Sequence, residues 1–240
     1  MAGPDTELLG PARLVVTDRR GGVSRAPWRT LNLADHVGDE PDHVARNRRQ
    51  VAVGLGVRDV AVVHANHSRT VHVVTAAGTA PLGDVLVTTT PGLALLVLSA
   101  DCVAAALVAP DVPALAVVHA GWRGVALNAA GAAVEALVGL GADPAAVMAR
   151  VGPTICMGCY EVSEQVRDEV TAAAPAAGGQ TRVGTPAVDV TAGFVWQLRA
   201  AGVQYIATDP RCTFQTEELY SYRRDGRTGR QGVMAVLGEP

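Results

Sequence analysis

The chain has 240 residues, of which 49% are hydrophobic and 18% charged, so it can bury a sizeable core and does not resemble a disordered segment. Its formal net charge of -3 argues against a nucleic-acid partner. All 20 basic residues are arginines. A Schiff-base lysine and a P-loop lysine are therefore excluded, and an anionic substrate must be held by arginine, backbone N–H groups or a metal.

The cysteine count and the apolar segments bear on the cellular compartment. Four cysteines are too few and too unevenly spread for a secreted disulfide scaffold. The N-terminal segment lacks the basic and apolar regions of a signal peptide. The apolar run LALLVLSA (93–100) is shorter than the roughly 20 residues of a membrane-spanning helix. We therefore expect a cytoplasmic protein that does not associate with membranes.

Hydrophobic periodicity predicts a mixture of strands and helices. In chain order, we predict strands at 12–17, 60–64, 71–74, 83–89, 93–99, 103–109, 114–119, 203–209 and 232–238. Caps and helical spacing predict helices at 42–56, 125–141, 163–174 and 191–202. We expect one domain over 1–240 of the α/β (α+β) class, a layered sandwich in which a mixed β-sheet core is flanked by helices. The first ~11 residues should form a loose tail, and 173–186 is linker-like.

Three polar interruptions within apolar regions carry potential metal ligands. They are HANHS (64–68), SADC (99–102) and HAGWRG (119–124). Two predicted strands and a Pro-Asp turn separate Cys102 from His119, so a hairpin can bring both residues to one end of a sheet. A His, Cys, His set suits zinc or copper, and three protein ligands leave a fourth coordination position open, as in catalytic sites.

Structural roles remain open for the same residues. A cysteine in an apolar context is usually a small buried residue, and His119 can be a hydrogen-bonded core histidine. We expect His64 and His72 to be structural or at the surface, and His36 and His43 to be solvated. The pair in CMGC (156–159) has no second such pair, so we do not expect a metal or redox role for it. The loop SYRRDGRTGRQG (221–232) is either a solvated turn or an anion-binding cradle.

Several motifs, taken together in this order, resemble the YfiH/YlmD family, whose members are called laccase-domain or multicopper polyphenol oxidase-like proteins and purine nucleoside phosphorylases. The resemblance covers about residues 12 to 237. The motifs are TDRRGGVS (17–24), TLNLADHVGDEP (30–41), ARNRRQV (45–51), NHSRTV (66–71), SADCVAAAL (99–107), VVHAGWRG (117–124), GPTICMGCYEV (152–162), DPRCT (209–213) and ELYSYRRDGRTGRQGVMAVL (218–237). The chain departs from the family pattern at Ala65-Asn66, in SADC and in CMGCY, but no ligand is lost.

The resemblance implies a metal site formed by His67, Cys102 and His119. It implies Zn²⁺ as the cofactor, with copper as an alternative. The implied activities are phosphorolysis of adenosine, inosine and methylthioadenosine and deamination of adenosine, so purine nucleosides and phosphate are the expected small-molecule partners. Arg19 and Asn32 are implied as pocket residues. The sequence leaves the oligomeric state undetermined.

These activities require further groups. A carboxylate must shuttle protons in a zinc-dependent deamination, and Asp101 and Glu161 are the candidates. Arginines must align phosphate with C1′ of the ribose, and Arg19, Arg123 and Arg224 are the candidates. Trp122 either stacks on the base or packs in the core.

Three other functions are compatible with the same sequence features. Cys102 and His119 also fit the nucleophile and base of a cysteine hydrolase or deamidase. A copper-dependent phenol oxidase is a second alternative, although the six histidines are few for several copper centres. The third is a non-catalytic metal-binding or interaction protein.

Overall fold

The computed structural model describes residues 5–238, which form fourteen strands and six α-helices. The strands are β1 (Thr6–Leu9), β2 (Ala12–Val16), β3 (Val60–His64), β4 (Val71–Val73), β5 (Gly78–Leu82), β6 (Val85–Thr88), β7 (Ala94–Ser99), β8 (Val103–Ala109), β9 (Ala114–Ala120), β10 (Met148–Val151), β11 (Gly178–Gln180), β12 (Pro186–Val188), β13 (Tyr205–Thr208) and β14 (Gln231–Leu237). The helices are α1 (Pro41–Gly54), α2 (Trp122–Ala126), α3 (Ala129–Gly139), α4 (Glu164–Ala173), α5 (Val190–Ala200) and α6 (Tyr222–Asp225).

Two six-stranded sheets form the centre of the molecule. The strand order is β1-β2-β14-β7-β3-β5 in the first sheet and β13-β10-β8-β9-β6-β4 in the second. Both sheets are mixed, because β3 runs parallel to β5 and β7, while β4 and β13 run parallel to β6 and β10. The predicted fold class, a layered sandwich with a mixed β-sheet core and flanking helices, is confirmed.

Side-chain alternation along the strands explains why the two sheets pack face to face. In β7, Leu95 and Val97 belong to the core between the sheets, whereas Leu96 and Leu98 pack on the opposite side with α1. The second sheet buries its outer face against a cluster that includes residues of α2, α3, α4 and α5. Strands covered on both faces read as nearly continuous apolar runs, which explains the sequences of β7, β8 and β9.

The predicted helix over 125–141 is wrong as a single element. The chain forms α2 and α3 instead, and Asn128 lies between them with a left-handed φ of 59°. Asn128 accepts a hydrogen bond from the N–H of Gly131 at 3.1 Å and thereby caps α3. Asparagine tolerates this backbone conformation and is a good N-cap, so a local side-chain bond overrides the helical periodicity.

Two other expectations are corrected. The first ~11 residues are not a loose tail throughout, because β1 pairs antiparallel with β2 and Glu7 binds Arg150 at 2.7 Å. Residues 1–4 lie outside the described part of the chain. The stretch 173–186 is not a linker, since it contains β11, which pairs with β12. Among residues 5–238, no helix has the length and hydropathy needed to cross a bilayer.

Candidate metal centre and cleft

The β8–β9 hairpin brings Cys102 and His119 to one end of the second sheet. Ala104 pairs with His119, and Cys102 directly precedes β8. By strand alternation, His119 lies on the same face as Leu115 and Val117, which point toward the first sheet. The apolar runs therefore place a thiol and an imidazole where the space between the two sheets opens.

His67 is brought to the same place by the loop between β3 and β4, and Asp84 shapes that loop. The Asp84 carboxylate accepts backbone hydrogen bonds from Asn66, His67 and Ser68 at 3.2, 3.1 and 2.6 Å. Three successive N–H groups that converge on one carboxylate hold the loop in a tight turn, in which His67 has a left-handed φ of 60°. The turn presents the exposed His67 ring toward His119 at 5.0 Å between ring centroids.

Asp84 also orients His119. Nδ1 of His119 donates to Oδ1 of Asp84 at 2.7 Å, and Asp84 is fully buried. Burial raises the pKa of Asp84, but the hydrogen bonds from His119 and the loop outweigh burial and lower it overall. Since the carboxylate fixes one proton on Nδ1, Nε2 is the ring nitrogen that would bind a metal after losing its own proton.

The charge state of His119 reflects two opposing effects. Burial of the ring lowers the pKa of His119, but hydrogen bonds to Asp84 and Cys102 outweigh burial and raise the pKa to about 9. The pKa of His67 shifts in the opposite direction, because partial burial and the neighbouring His119 lower it. Without a bound ion, the surroundings thus favour the protonated form of His119 and the neutral form of His67.

We call His67, Cys102 and His119 the His-Cys-His triad, and the structure brings all three together. One ligand atom from each lies within 4.8 Å of the others. A Cβ at Gly121 would lie 2.9 Å from Sγ of Cys102 and 3.1 Å from Nδ1 of His67, so glycine leaves the space beside the ligands open. Two imidazoles and a thiolate are donors that suit Zn²⁺ or copper, and the residues present fit such an ion.

The triad faces a cleft of about 830 Å³. Trp122, Tyr160 and Tyr222 line this cleft, which gives it flat apolar surfaces. Burial raises the pKa of Tyr160, so its hydroxyl remains protonated. The cleft combines aromatic walls with an end whose side chains could hold a metal ion, as is common in small-molecule sites.

Three arginines add positive charge to the cleft: Arg123, Arg223 and Arg230. Arg123 is exposed, and its guanidinium lies 4.6 Å from the centre of the Trp122 ring. Among residues 5–238 it has no carboxylate partner. Burial lowers the pKa of Arg230. These side chains can meet an anionic substrate group.

The other arginines singled out from sequence make structural contacts. Arg19 donates to the carbonyls of Arg29 and Glu217 at 3.0 and 3.1 Å. Arg224 donates to several carbonyls between residues 213 and 219, among them Thr213 at 2.7 Å. Neither residue lines the cleft. Their guanidinium groups hold loops together.

Asn32 is also structural and acts at the margin of the cleft. It is fully buried, and its Oδ1 accepts hydrogen bonds from the backbone N–H groups of Ala34 and Arg230 at 3.0 and 2.9 Å. It does not line the cleft. The hydrogen bond from the N–H of Arg230 lets Asn32 hold the backbone of Arg230, and Arg230 does line the cleft.

The two candidate carboxylates have different surroundings. Asp101 lines the cleft and is nearly buried, and its oxygens accept from Oγ1 of Thr213 at 2.6 Å and from the N–H of Arg223 at 2.7 Å. Glu161 is exposed and outside the cleft lining, and its backbone carbonyl accepts from Arg223. Of these two candidates, Asp101 alone lines the cleft.

Sequence reasoning missed several residues of the site. Asp84 was not singled out, although an aspartate directly before a buried strand is an unusual place for a charge. His36 and His64 were expected to be solvated or structural, yet both line the cleft. The loop SYRRDGRTGRQG does carry cleft arginines, but these are Arg223 and Arg230.

The sequence also did not reveal a second cluster of sulfur-bearing side chains. We call Cys156, Cys159 and Cys212 the three-cysteine cluster, because their Sγ atoms lie within 4.8 Å of one another. All three are free thiols. Burial and the neighbouring thiols of Cys212 and Cys159 raise the pKa of Cys156 to about 12. Cys212 is far from CMGC in sequence, so no local spacing pattern reveals the cluster.

Comparison with known proteins places this architecture in a family. Residues 13–238 match the family model described as multi-copper polyphenol oxidoreductase laccase. A purine nucleoside phosphorylase of Streptomyces coelicolor is 48% identical over 229 residues, covering 93% of this chain and 95% of the relative.

Solved structures agree with the sequence comparison. YlmD from Geobacillus stearothermophilus aligns with a TM-score of 0.87 at 31% identity, covering 95% of this chain and 93% of that chain. The YfiH protein of Bacillus licheniformis aligns with a TM-score of 0.86 at 29% identity, covering 94% of this chain and 92% of that chain. Fold and site together define a two-sheet sandwich protein with a potential metal centre in an open cleft. The chain belongs to the YfiH/YlmD laccase-like family, and the resemblance drawn from its motifs is confirmed.

Proposed function

We propose that the protein is a metal-dependent purine nucleoside phosphorylase that acts on adenosine, inosine and methylthioadenosine and also deaminates adenosine. The observation that carries the proposal is the convergence of His67, Cys102 and His119 at the end of a cleft that also contains arginines and aromatic rings. The purine nucleoside phosphorylase name of its relatives supports the same conclusion.

Zn²⁺ is the proposed cofactor, with copper as the alternative for the same ligands. His67, Cys102 and His119 would hold the ion, which supplies a Lewis acid to the cleft when bound. Asp84 keeps the proton of His119 on Nδ1 at 2.7 Å, so that Nε2 is available. The Asp84 hydrogen bonds to the His67 loop fix the second imidazole relative to the first.

Phosphorolysis requires the cleft to align two substrates. A phosphate oxygen forms a bond to C1′ of the ribose while the bond from C1′ to N9 breaks. The electron pair of that bond passes to the purine, and the proton given up by phosphate goes to the released base. We propose that Arg123, with Arg223 and Arg230, holds the phosphate, because these three residues line the cleft.

Deamination uses water in place of phosphate. Water adds to C6 of adenine, ammonia leaves, and inosine is formed. We propose Asp101 as the carboxylate that moves the proton, because it lines the cleft next to Cys102, whereas Glu161 lies outside the lining. Trp122 and Tyr160 offer ring faces against which a purine can stack.

The proposal is tested with nucleosides and chromatography of the products. The metal-loaded protein should convert inosine and phosphate to hypoxanthine and ribose 1-phosphate, and adenosine without phosphate to inosine. The Cys102→Ala variant should lose both reactions together with the ion held by the His-Cys-His triad. Full turnover by Cys102→Ala would contradict the proposal.

The proximity of Cys102 and His119, whose sulfur and ring nitrogen lie within 4.8 Å, also favours a second candidate, a cysteine hydrolase or deamidase. Metal removal distinguishes the two, because a thiol–imidazole pair works without an ion. We do not favour a phenol oxidase. Among residues 5–238, only two of the six histidines lie close to a cysteine. They can form a single metal centre, whereas a multicopper oxidase needs several. Phenol oxidation during a copper titration tests that possibility.

A further inference from the structure

The three-cysteine cluster joins two segments that are distant in sequence. After β10, Cys156 precedes a short 3₁₀ turn (Met157–Cys159) that Cys159 ends, and Cys212 lies in the loop after β13. Thr154 forms a parallel bridge with Cys212, and the N–H of Thr213 donates to the carbonyl of Thr154 at 2.9 Å. The backbone therefore holds the two segments side by side and brings the three sulfurs together.

Hydrogen-bond donors surround these sulfurs. The N–H of Cys156 donates to Sγ of Cys212 at 3.2 Å, and Nε2 of Gln215 donates to Sγ of Cys159 at 3.2 Å. Such N–H bonds offset negative charge on sulfur and accompany metal-bound thiolates. Three thiolates at this separation repel one another unless a cation lies among them.

We propose that the three-cysteine cluster is a second metal site, distinct from the His-Cys-His triad, that binds one thiophilic cation of the Zn²⁺ type through three thiolates. Cysteine thiolates are the preferred ligands of such ions, and three of them leave a fourth coordination position for a further donor. Cys156 and Cys159 are partly exposed, so an ion can reach the sulfurs from solvent.

The placement of the cluster gives this site a structural role in the cleft. Thr213, next to Cys212, donates to Oδ1 of Asp101 at 2.6 Å, and Asp101 precedes the ligand Cys102. Tyr160, next to Cys159, lines the cleft. An ion held by the three sulfurs would clamp the two segments that fix Asp101 and Tyr160, and thereby stabilise one wall of the cleft.

The test counts zinc ions and metal-bound thiolates in the full chain. Reduced protein is loaded with excess Zn²⁺ and freed of unbound ion, and its zinc content is measured. We expect two ions per wild-type chain, one in Cys159→Ser, one in Cys102→Ala and none in the double variant. One ion in the wild type that is lost entirely in Cys102→Ala would overturn the proposal.

A second measurement guards against misfolded variants. Cd²⁺ added to wild-type protein should give a thiolate charge-transfer absorbance equivalent to four bound sulfurs, and Cys102→Ala should retain three quarters of it. Absorbance equivalent to a single sulfur, or a disulfide between Cys156 and Cys159 in protein purified under reducing conditions, would overturn the proposal. Neither readout depends on nucleoside turnover, so the proposed activity can fail while this site is confirmed.

Discussion

Asp84 holds the ring of His119 through a 2.7 Å hydrogen bond to Nδ1 and accepts the backbone N–H of His119 through its own carbonyl at 2.8 Å. The same carboxylate binds three N–H groups of the loop that carries His67. One buried aspartate therefore sets the relative placement of His67 and His119 in the triad.

Replacement of this aspartate should weaken metal binding without removing a ligand. Asp84→Asn places an amide N–H₂ group among N–H donors, which misorients the loop and the His119 ring. We expect the affinity for Zn²⁺ to fall by about 10–100-fold, as for other groups that orient metal ligands. Competition with a chromophoric chelator measures the affinity. Asp111→Asn, in an exposed turn, is the control and should bind as the wild type does; equal affinities of the two variants would refute the role of Asp84.

Gly121 provides a steric test of the same centre. Gly121→Ala places a Cβ 2.9 Å from Sγ of Cys102, so the thiol or His67 must move. We expect the variant to lose the Zn²⁺ ion of the triad while it remains folded. The matched control is Gly139→Ala, where nothing lies within 4 Å of the new Cβ. The control should keep its zinc and gain up to about 1 kcal/mol in the free energy of unfolding.

Metal uptake should depend on pH because a proton competes for His119. Its pKa of about 9 means that at pH 7 the ring is protonated in the metal-free protein, and Nε2 must lose its proton when the ion binds. We expect the apparent affinity to rise by at least about tenfold per pH unit between pH 6.5 and 8.5, since each displaced proton contributes one power of ten. Affinity that is constant over this range would show that His119 carries no competing proton.

Two arginines should respond differently to the same substitution. Arg123→Gln removes an exposed guanidinium from the cleft and should raise the KM for phosphate at least about tenfold, with unchanged stability. Arg224→Gln removes donors to the carbonyls of the 213–219 loop and should lower the free energy of unfolding by about 1–3 kcal/mol. Phosphate saturation curves and urea unfolding separate the two effects. If only Arg224→Gln raised the KM for phosphate, Arg224 and not Arg123 would be the phosphate-binding residue.

The sequence predicted the parts of this architecture that depend on local periodicity. The sequences of β7, β8 and β9 are apolar because both faces of each strand are covered. The turn between β8 and β9 predicted that Cys102 and His119 would lie close together. The helix break at Asn128 was missed, because a single side-chain bond to Gly131 decides it. The same limit explains β1, whose pairing with β2 is not visible in a four-residue stretch.

The site was predictable where a side chain follows a strand and unpredictable where it depends on distant partners. Arg19 and Arg224 have the residue type of phosphate ligands, but backbone carbonyls from other loops engage their guanidinium groups. The three-cysteine cluster depends on a bridge between Thr154 and Cys212, which no spacing rule anticipates. Long-range contacts thus decide which polar residues face the cleft.

The most direct test of the metal centre is X-ray absorption spectroscopy at the zinc edge on the Cys159→Ser variant loaded with one equivalent of Zn²⁺. If the His-Cys-His triad binds the ion, the spectrum should show two imidazole nitrogens at about 2.0–2.1 Å and one sulfur at about 2.3 Å, with a light atom completing the shell. A shell without imidazole, or one without sulfur, would contradict the assignment of His67, Cys102 and His119 as joint ligands.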